Sequence, residues 1–466
     1  MRRALEPVVA LVACLAGALV LRLPTLDMPL DRDASVYAVI GRSLAGALPY
    51  RDLIDHKQPV VYPVYALLEA LAPRSEVAIR LASAVAAGLA AWLLFVGLRP
   101  FAGRTRAAVA AALALGLGAS RFVQGFELNT EHLLVLTGTL LVVAALRLSG
   151  VRGWWPPFAV GLLCGLAILT KAIGVLFAPA ALAPFLLRRP AIGVLVPFAL
   201  GTAVPLLAVA ALWAAHGALG DLTTWNWTYN RQYTAALPFS DRISALKTYP
   251  ADLLLIAVAA VAGVFALRSR GWRDPLALTL SLWLAGAVIG ALLGGYGYAH
   301  YYAPIVPPAA ALLAVPTIRA RALAAALAVV AVAPFAIDYA PGIGRSAQTL
   351  SVRYYGPQAQ LWATYEPVGA LLRPRSRPGD RLFVAGNEAG FYWQGDMRPA
   401  TRLLYDSPLN LRPELTSEVT RDLCARPPRF VVLPLGTLPP YAACLGGAGY
   451  RPIGTLGPSV RVMQRG

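Results

Sequence analysis

The chain has 466 residues, of which 58% are hydrophobic and only 14% are charged. A soluble globular domain rarely has this composition, whereas a chain with repeated apolar segments of membrane length does. The formal net charge is +18. Because the arginines cluster in short segments between apolar runs, the positive-inside rule explains this charge, and we expect a membrane protein that binds no nucleic acid.

The first apolar run follows a basic start at Arg2 and Arg3. Signal peptides also begin in this way. No cleavage site of small residues follows the run, which leads instead to Arg22, Leu23 and Pro24. The sequence therefore predicts a first membrane span that is retained.

Eleven apolar runs are candidates for membrane-spanning helices. Several are shorter than the roughly 20 residues that a bilayer requires, so flanking Trp, Tyr and Arg side chains would complete them. A further run, Val60–Leu71, is short and contains Glu69, which predicts an interfacial or re-entrant helix. The eleven runs are Val8–Leu23, Val77–Leu98, Ala107–Ala119, Leu133–Leu148, Phe158–Leu169, Ile173–Leu187, Ala191–Ala215, Leu253–Leu267, Leu276–Leu293, Ala303–Val315 and Ala322–Ile337.

The charges between these runs predict the topology. If the N-terminus is cytoplasmic, alternation places every short Arg-rich loop in the cytoplasm and nearly all the acidic residues on the other side. We therefore predict a multi-pass membrane protein with an extracytoplasmic C-terminus. Only three of the 41 basic residues are lysines, which is typical of a GC-rich bacterial genome, so we expect the membrane to be a bacterial inner membrane. The predicted cytoplasmic loops contain Arg99, Arg104 and Arg106; Arg147 and Arg152; Arg188 and Arg189; Arg268, Arg270 and Arg273; and Arg319 and Arg321.

The composition changes from about Asp338, where charged residues become frequent and the apolar runs become short. We predict a transmembrane domain over residues 1–337 and a small extracytoplasmic α/β domain over 338–466, which is a normal domain size. Cys424 and Cys444 could form a disulfide if that domain is extracytoplasmic. The predicted strands are Arg381–Ala385, Phe430–Pro434, Arg451–Ile453 and Val460–Met463, and the predicted helices are Leu361–Leu372 and Pro413–Ala425.

Residues 24–76 form the first extracytoplasmic loop in this topology. An amphipathic helix on the membrane surface is predicted to begin near Asp33, because the apolar residues that follow have helical spacing. Asp31 and Asp33 lie at its start, where the helix dipole favours carboxylates. An N-cap is the alternative interpretation of Asp33. The apolar positions of this helix are Val36, Val39, Ile40 and Leu44.

This loop carries the pattern D-x-x-x-Y-A-x-x-G-x-x-L-x-G-x-x-P-Y-R-D-x-x-D-H-K-x-P-x-x-Y, from Asp33 to Tyr62. The pattern resembles the first periplasmic loop of bacterial polyprenyl-phosphate-sugar glycosyltransferases of the GT-C superfamily. The resemblance is to members near glycosyltransferase family 39, which includes protein O-mannosyltransferases and the lipid A aminoarabinose transferase. One departure is Ala34, since relatives commonly have Glu after the key Asp. Further matching segments are Asn129-Thr130-Glu131, Leu169-Thr170-Lys171, His300-Tyr301-Tyr302 and residues 378–402.

The resemblance implies a GT-C-like bundle of about 11 transmembrane helices with interfacial helices in its first outer loop. It also implies transfer of a sugar from a polyprenyl-phosphate donor to a cell-envelope acceptor, which is a glycan, a lipid or a protein. The leaving phosphate is already a stable anion, so the reaction needs cations to hold it and a base for the acceptor hydroxyl. Asp33 is the predicted base, in a displacement that inverts the anomeric centre.

Three cations are candidates for binding the donor phosphate. Lys171 lies between two apolar runs and needs an anion there; the alternative is a Lys that snorkels to the interface. Lys57 follows Asp55, and an internal pair with Asp55 is its alternative role. Arg231 lies in an aromatic segment that is equally typical of an interfacial belt.

The remaining predicted site residues would orient the acceptor or contact the substrates. Glu131 and Asp31 are candidates for a second acid, with Glu127 a weaker rival to Glu131. His300 has a structural role as its alternative, because a His beside aromatic residues often packs. The predicted substrate contacts are Tyr37, His56, His300 and Tyr301.

No obligatory metal or cofactor is expected. The pair Asp31-x-Asp33 is similar to the D-x-D of soluble nucleotide-sugar enzymes, but a lipid monophosphate needs a metal less than a diphosphate does. Two other classes of protein remain as alternatives: a transporter or flippase of lipid-linked sugars, and a non-catalytic scaffold that binds glycan. A transporter predicts charges within the spans, whereas the unusual charges here lie at the outer span ends.

Overall fold

The structure is a computed structural model that describes residues 2–246, 248, 250–315, 329, 332–457 and 459–466, without the side chains of 2–4, 245 and 246. The chain divides into two compact units. Unit 1 contains Met1–Leu26, Arg80–His216 and Thr234–Gly344. Unit 2 contains Asp27–Ile79, Gly217–Tyr233 and Arg345–Gly466.

Unit 1 is helical. Apolar side chains from most of its helices form one buried cluster, which includes Leu94, Leu141, Phe185 and Trp283. Its α-helices are α1 (Arg2–Val20), α4 (Glu76–Ala102, which begins in unit 2), α5 (Arg104–Leu117), α6 (Thr130–Leu148), α7 (Trp155–Thr170), α8 (Ala178–Leu186), α9 (Ile192–Ala215), α12 (Phe239–Leu246), α13 (Pro250–Arg270), α14 (Pro275–Gly294) and α15 (Val306–Ala314). Short 3₁₀ helices are Leu23–Thr25, Arg121–Val123, Ala172–Phe177, Ala299–Ile305 and Ala340–Gly342.

Small residues allow two of these helices to approach closely. A Cβ atom at Gly161 of α7 would lie 2.2 Å from the carbonyl oxygen of Phe198 in α9. A Cβ atom at Gly201 of α9 would lie 2.1 Å from the carbonyl oxygen of Phe158. Small residues permit this close packing between helices in a membrane, where the hydrophobic effect does not drive helices together.

In the described ranges, five helices are long and apolar enough to cross a membrane: α4, α6, α9, α13 and α14. Shorter apolar helices include α7 and the segments Leu5–Val20, Val61–Leu71 and Ala172–Leu186. Each of the first ten predicted runs overlaps a helix, and the broad expectation of a multi-pass helical membrane protein is confirmed. The run Ala322–Ile337 lies mostly outside the described residues, and the number of spans stays a prediction.

Unit 2 joins Asp27–Ile79 to the C-terminal part of the chain. Helix α2 (Arg32–Ser43) packs on α3 (Val61–Leu71), and a Cβ atom at Gly41 would lie 2.8 Å from the backbone nitrogen of Ala66. The C-terminal helices are α16 (Ala347–Tyr355), α17 (Ala359–Trp362), α18 (Tyr365–Leu372), α19 (Gly390–Gly395) and α20 (Glu414–Ala425). Residues 217–233 add α10 (Leu219–Thr223), a π-helix over Thr224–Tyr229 and the start of α11 (Asn230–Ala235); 3₁₀ helices cover Arg373–Arg375, Ser407–Asn410 and Pro440–Gly447.

A mixed sheet of five strands completes unit 2, in the order β2-β1-β3-β5-β4. β1 is parallel to β2 and β3, whereas β5 is antiparallel to β3 and β4. All four predicted strands form, and only the two-residue strand β2 was not predicted. The disulfide Cys424–Cys444 is also present. The strands are β1 (Arg381–Val384), β2 (Arg398–Pro399), β3 (Phe430–Leu433), β4 (Tyr450–Leu456) and β5 (Val460–Arg465).

Helix α2 is not a free surface helix, because the C-terminal part of unit 2 holds both its ends. Near its start, Arg32 forms an ion pair of 2.7 Å with the buried carboxylate of Glu388. Near its end, the Arg42 guanidinium donates to the carbonyl oxygens of Tyr392, Trp393 and Met397, at 2.9–3.1 Å. Residues 34–41 of α2 are buried. The amphipathic helix predicted for the membrane surface therefore packs against protein.

Candidate functional site

The two acids at the start of α2 have different roles. Asp31 is the N-cap, since its Oδ1 accepts a hydrogen bond of 2.8 Å from the backbone N–H of Ala34. Asp33 lies in the first turn of the helix. The alternative interpretation of Asp33 as the N-cap is therefore wrong, and its carboxylate is available for other partners.

Asp33 is paired with Lys57. Lys57 Nζ lies 3.0 Å from Asp33 Oδ2, and 35% of the Asp33 side chain is exposed. The backbone carbonyl of Lys57 accepts hydrogen bonds from Tyr50 Oη at 2.7 Å and Tyr62 Oη at 3.3 Å. The alternative role considered for Lys57 was a pair with Asp55, whereas the structure pairs it with Asp33. We call these two residues the Asp33–Lys57 cluster.

Asp55, two residues before Lys57, is fixed by several hydrogen bonds. Its carboxylate is buried and accepts hydrogen bonds from the backbone N–H of His56 at 2.7 Å and from Tyr62 Oη and Tyr405 Oη, each at 2.9 Å. Burial raises the pKa of Asp55, while nearby Lys57 and the hydrogen bonds oppose that rise. Sequence analysis did not identify Tyr405, which is 350 residues away in the chain.

Aromatic side chains surround the ring of His56. Its centroid lies 5.1 Å from that of Tyr229 and 5.5 Å from that of Tyr233, and Tyr405 Oη lies 3.4 Å from Nδ1. The Asn230 side-chain amide donates to the backbone carbonyl of His56 at 2.8 Å. His56 thus has a fixed orientation beside Lys57.

Two other predicted residues of unit 2 lie elsewhere. Tyr37 is buried on α2 and packs edge-to-face against Tyr62 and Tyr65, which is a packing role rather than the predicted substrate contact. Arg231 is exposed on α11. Within the described ranges, no contact joins Arg231 to the Asp33–Lys57 cluster.

Unit 1 contains a second group of predicted residues, which we call the Glu131–Lys171 cluster. Glu131 lies in the first turn of α6, and only 2% of its side chain is exposed. Its Oε1 accepts a hydrogen bond from Lys171 Nζ and lies 3.6 Å from His300 Nε2. Its Oε2 accepts a hydrogen bond of 2.8 Å from Thr130 Oγ1. The anion that Lys171 was expected to need is therefore Glu131.

The rest of this cluster is aromatic and amide. Lys171 Nζ lies 4.8 Å from the ring centroid of Tyr301, a cation–π contact. His300 Nδ1 lies 2.7 Å from Oε1 of Gln124, and its ring stacks on Tyr298 at 5.7 Å. Gln124 has a left-handed backbone, with φ of 48°. Sequence analysis did not identify Gln124, because its backbone angle is visible only in the structure. Residues with such sparsely populated backbone angles often lie at functional sites.

The segment before α6 is held by two buried arginines. The Arg80 guanidinium lies 2.8 Å from Glu127, with both side chains almost completely buried, and it donates to the carbonyl of Phe126. Arg22 donates to the carbonyl of Gly125 at 2.6 Å. Glu127, the weaker rival of Glu131, therefore lies in a structural ion pair.

In the part of the chain that is described, no three His, Cys, Asp or Glu side chains come together as a metal-binding group. The absence of an obligatory metal stays a prediction.

Comparisons with known proteins support the resemblance seen in the sequence. Residues 56–214 match the family model described as dolichyl-phosphate-mannose-protein mannosyltransferase. No curated protein matches the chain. The fold matches the crystal structure of ArnT from Cupriavidus metallidurans bound to undecaprenyl phosphate, with a TM-score of 0.66, 15% identity and coverage of 99% of this chain and 98% of that one.

The fold also matches the oligosaccharyltransferase of Archaeoglobus fulgidus. Its structure tethered with an acceptor peptide has a TM-score of 0.55 and 13% identity, and the match covers 92% of this chain and 69% of that one. Its complex with an inhibitory peptide and a dolichol-phosphate has a TM-score of 0.51 and 13% identity, with the same coverage. These TM-scores show a shared fold. Together with the family model, they confirm the resemblance to GT-C glycosyltransferases near family 39.

Proposed function

We propose that this protein is an integral-membrane glycosyltransferase that moves a sugar from a polyprenyl-phosphate donor to a cell-envelope acceptor on the extracytoplasmic side. The observation that carries the proposal is the partly exposed Asp33 carboxylate, held by Lys57 at the start of α2. The shared fold supports the class of donor, because ArnT has been crystallised with undecaprenyl phosphate and the archaeal enzyme with a dolichol-phosphate.

The proposed reaction is a single displacement. The acceptor hydroxyl oxygen attacks the anomeric carbon, and the bond from that carbon to the phosphate oxygen breaks with inversion. The electron pair leaves with the polyprenyl phosphate, and the hydroxyl proton passes to the Asp33 carboxylate. Asp33 is the proposed base because a base must be ionised, accessible and within hydrogen-bond reach of the hydroxyl.

Lys57 has two roles in this proposal. Its ammonium group holds the Asp33 carboxylate through their contact of 3.0 Å. The same group can bind the donor phosphate as negative charge develops on the leaving oxygen. The hydrogen bonds from Tyr50 and Tyr62 to the Lys57 carbonyl, and those to Asp55, hold this turn in place before substrate arrives.

The Glu131–Lys171 cluster is proposed to contact substrate through its cation and its imidazole. Lys171 would bind phosphate, and His300 and Tyr301 would contact the donor or the acceptor. Glu131 is buried and already bonded to Thr130 and Lys171. We therefore assign Glu131 to positioning Lys171 and His300, and any orientation of the acceptor would act through them.

The test is release of polyprenyl phosphate by the purified full chain in nanodiscs, with a panel of short-chain polyprenyl-phosphate sugars and candidate acceptors. With the donor that the native protein uses, Asp33→Asn should strongly reduce the release of polyprenyl phosphate. Asp52→Asn is the matched control, because Asp52 lies in the same loop, pairs with Arg51 at 2.9 Å and is 36% exposed.

The control variant should retain native turnover. Equal losses in both variants would contradict the role of Asp33 as base. Turnover that survives in Asp33→Asn would move the base to another carboxylate, with Asp31 and Glu131 the next to test. Binding of a lipid-linked sugar followed by its movement across the bilayer, without release of polyprenyl phosphate, would instead support the transporter.

A further inference from the structure

A basic pocket lies in unit 1, at the ends of α6 and α8 and the starts of α7 and α9. It has a volume of about 320 Å³ and is lined by Arg152, Arg188 and Arg189 with Ser149 and Gly193. One buried water needs roughly 10–15 Å³ by a comparable measure, so a group much larger than water fits. The topology predicted from the sequence places this pocket at the cytoplasmic face.

Two of the three arginines of this pocket have neutral partners. Arg188 donates to Ser149 Oγ at 3.1 Å, and Arg189 donates to the carbonyl oxygens of Gly153 at 2.8 Å and Ser149 at 3.4 Å. Among the described residues, no ion pair joins any of the three arginines to a carboxylate. The residues outside the described ranges include no Asp or Glu. The sequence contains no acid between Glu131 and Asp221.

Other Arg-rich loops of unit 1 are different. Arg99 and Arg104 lie 3.3 Å and 3.2 Å from the Glu6 carboxylate. Arg270 lies 3.0 Å from Asp274. The positive-inside rule explains why arginines occur in all these loops. It does not explain why one pocket gathers three of them without a carboxylate.

One helix directs its positive end to this pocket. α9 begins at Ile192, and its start has no side-chain cap. Gly193, in the first turn of α9, is part of the pocket wall. The N-terminus of a helix carries partial positive charge and backbone N–H groups that bind anions. The arginines and the start of α9 therefore favour the same kind of ligand.

The surroundings indicate that this anion is attached to a lipid. Trp154 and Trp155, which are 61% and 57% exposed, lie beside the pocket, and Trp155 stacks on Phe158. Such tryptophans are typical of the level of lipid headgroups. α9 leads away from the pocket with exposed apolar side chains, including Ile192 at 74% and Val196 at 46%.

We propose that this pocket binds the phosphate of an anionic phospholipid headgroup, with Arg152, Arg188 and Arg189 as its cations. A guanidinium group can give two parallel hydrogen bonds to a phosphate, and the lipid supplies the negative charge that the chain lacks here. The bound lipid would link the α6–α7 turn to the α8–α9 turn. This site is independent of the proposed transfer reaction.

The test is native mass spectrometry of the full chain in detergent, titrated with phosphatidylglycerol. Arg188→Gln with Arg189→Gln should weaken retention of this lipid by at least about tenfold, because charge-assisted hydrogen bonds are lost. The control is Arg268→Gln with Arg273→Gln, which removes equal charge from two exposed arginines of another loop. Arg152→Gln, at an exposed position, is a second pocket variant that should weaken retention without disturbing the fold.

Three results would overturn the proposal. Equal weakening in the control would show that net charge alone retains the lipid. Equal retention of phosphatidylcholine, which is neutral overall, would show that apolar contact suffices. Displacement of the lipid by inorganic phosphate at a similar concentration would make the ligand a soluble anion. Retention specific to phosphatidylglycerol, lost in both pocket variants but not in the control, would support the site.

Discussion

Asp33 and Glu131 are both carboxylates in the first turn of a helix, and each is bonded to a lysine. They differ in access to solvent, since 35% of the Asp33 side chain is exposed but only 2% of that of Glu131. An exposed carboxylate can receive a proton from a bound hydroxyl, whereas a buried one that is already bonded holds its neighbours in place. The same local chemistry therefore indicates two different roles, which mutations can separate.

The largest effect is expected at Asp33. Asp33→Asn keeps the shape of the side chain and removes its basicity, so turnover should fall by about 10²–10⁴-fold. The temperature of unfolding should change little, since an asparagine at this position can still accept a hydrogen bond from Lys57. Single-turnover rates and thermal unfolding of the same preparation measure both. A large loss of stability would mean that Asp33, like Glu131, is structural.

Glu131→Gln should lower stability much more than Asp33→Asn does. It leaves Lys171 without its anion in a mostly buried position, and removal of one member of a buried pair costs about 3–5 kcal/mol. The unfolding temperature should fall strongly. Adding Lys171→Met should restore part of that stability but not turnover, because the proposed phosphate cation is lost. Full turnover in the double variant would contradict the role proposed for Lys171.

Lys57→Met tests the lysine of the more exposed cluster. Donor binding should weaken by about tenfold as one charge-assisted contact to phosphate is lost. Because only 14% of the Lys57 side chain is exposed, thermal unfolding of the variant separates a loss of binding from a loss of fold. The KM for the donor and thermal unfolding are the measurements. Arg51→Met, in the same loop, is the matched control. An unchanged KM would exclude Lys57 from phosphate binding.

The smallest effect concerns the pH dependence of stability. Burial raises the pKa of Asp55, so the folded state holds this proton more tightly than the unfolded chain. The stability of the fold should then decrease as pH rises from the pKa of Asp55 in the unfolded chain, about 3.9, through its raised pKa in the folded state. Asp55→Asn should remove this fall, which thermal unfolding at a series of pH values would detect.

Asp52 provides the opposite case for that experiment. Its hydrogen bond with Arg51 lowers the pKa of Asp52. The stability that Asp52 contributes is present above the unfolded pKa and is lost as pH falls through the lowered one. Asp52→Asn should therefore remove a loss at acid pH. The same pH profile in both variants would contradict the assignment of Asp55 as a buried carboxylate.

Much of the fold followed from local patterns. Predicted strands such as Phe430–Pro434 form within one or two residues of their predicted ends, and runs such as Leu276–Leu293 lie within helices. The run Ile173–Leu187 is an exception, because it begins as the 3₁₀ helix Ala172–Phe177 before α8. Periodicity and apolar content reveal elements that bury their surface, but they do not distinguish types of helix over six residues.

The site was only partly predictable. The motif identified Asp33, Lys57, Glu131, Lys171 and His300, but not which of them pair. Asp31 rather than Asp33 is the cap, because a shift of one or two residues in the helix start cannot be read from two neighbouring acids. Tyr405 and Gln124 were missed because their partners, Asp55 and His300, are 350 and 176 residues away.

The sequence by itself determined the membrane class, the apolar runs, the strands and the set of charged residues from which a site is built. These properties depend on composition and on short-range periodicity, which are visible in any window of the chain. Only the tertiary structure decided that Lys57 meets Asp33, that Lys171 meets Glu131, and that one acid is exposed while the other is buried. Coulomb energy and desolvation depend on distances and burial in space, and both are set when segments far apart in the sequence pack together.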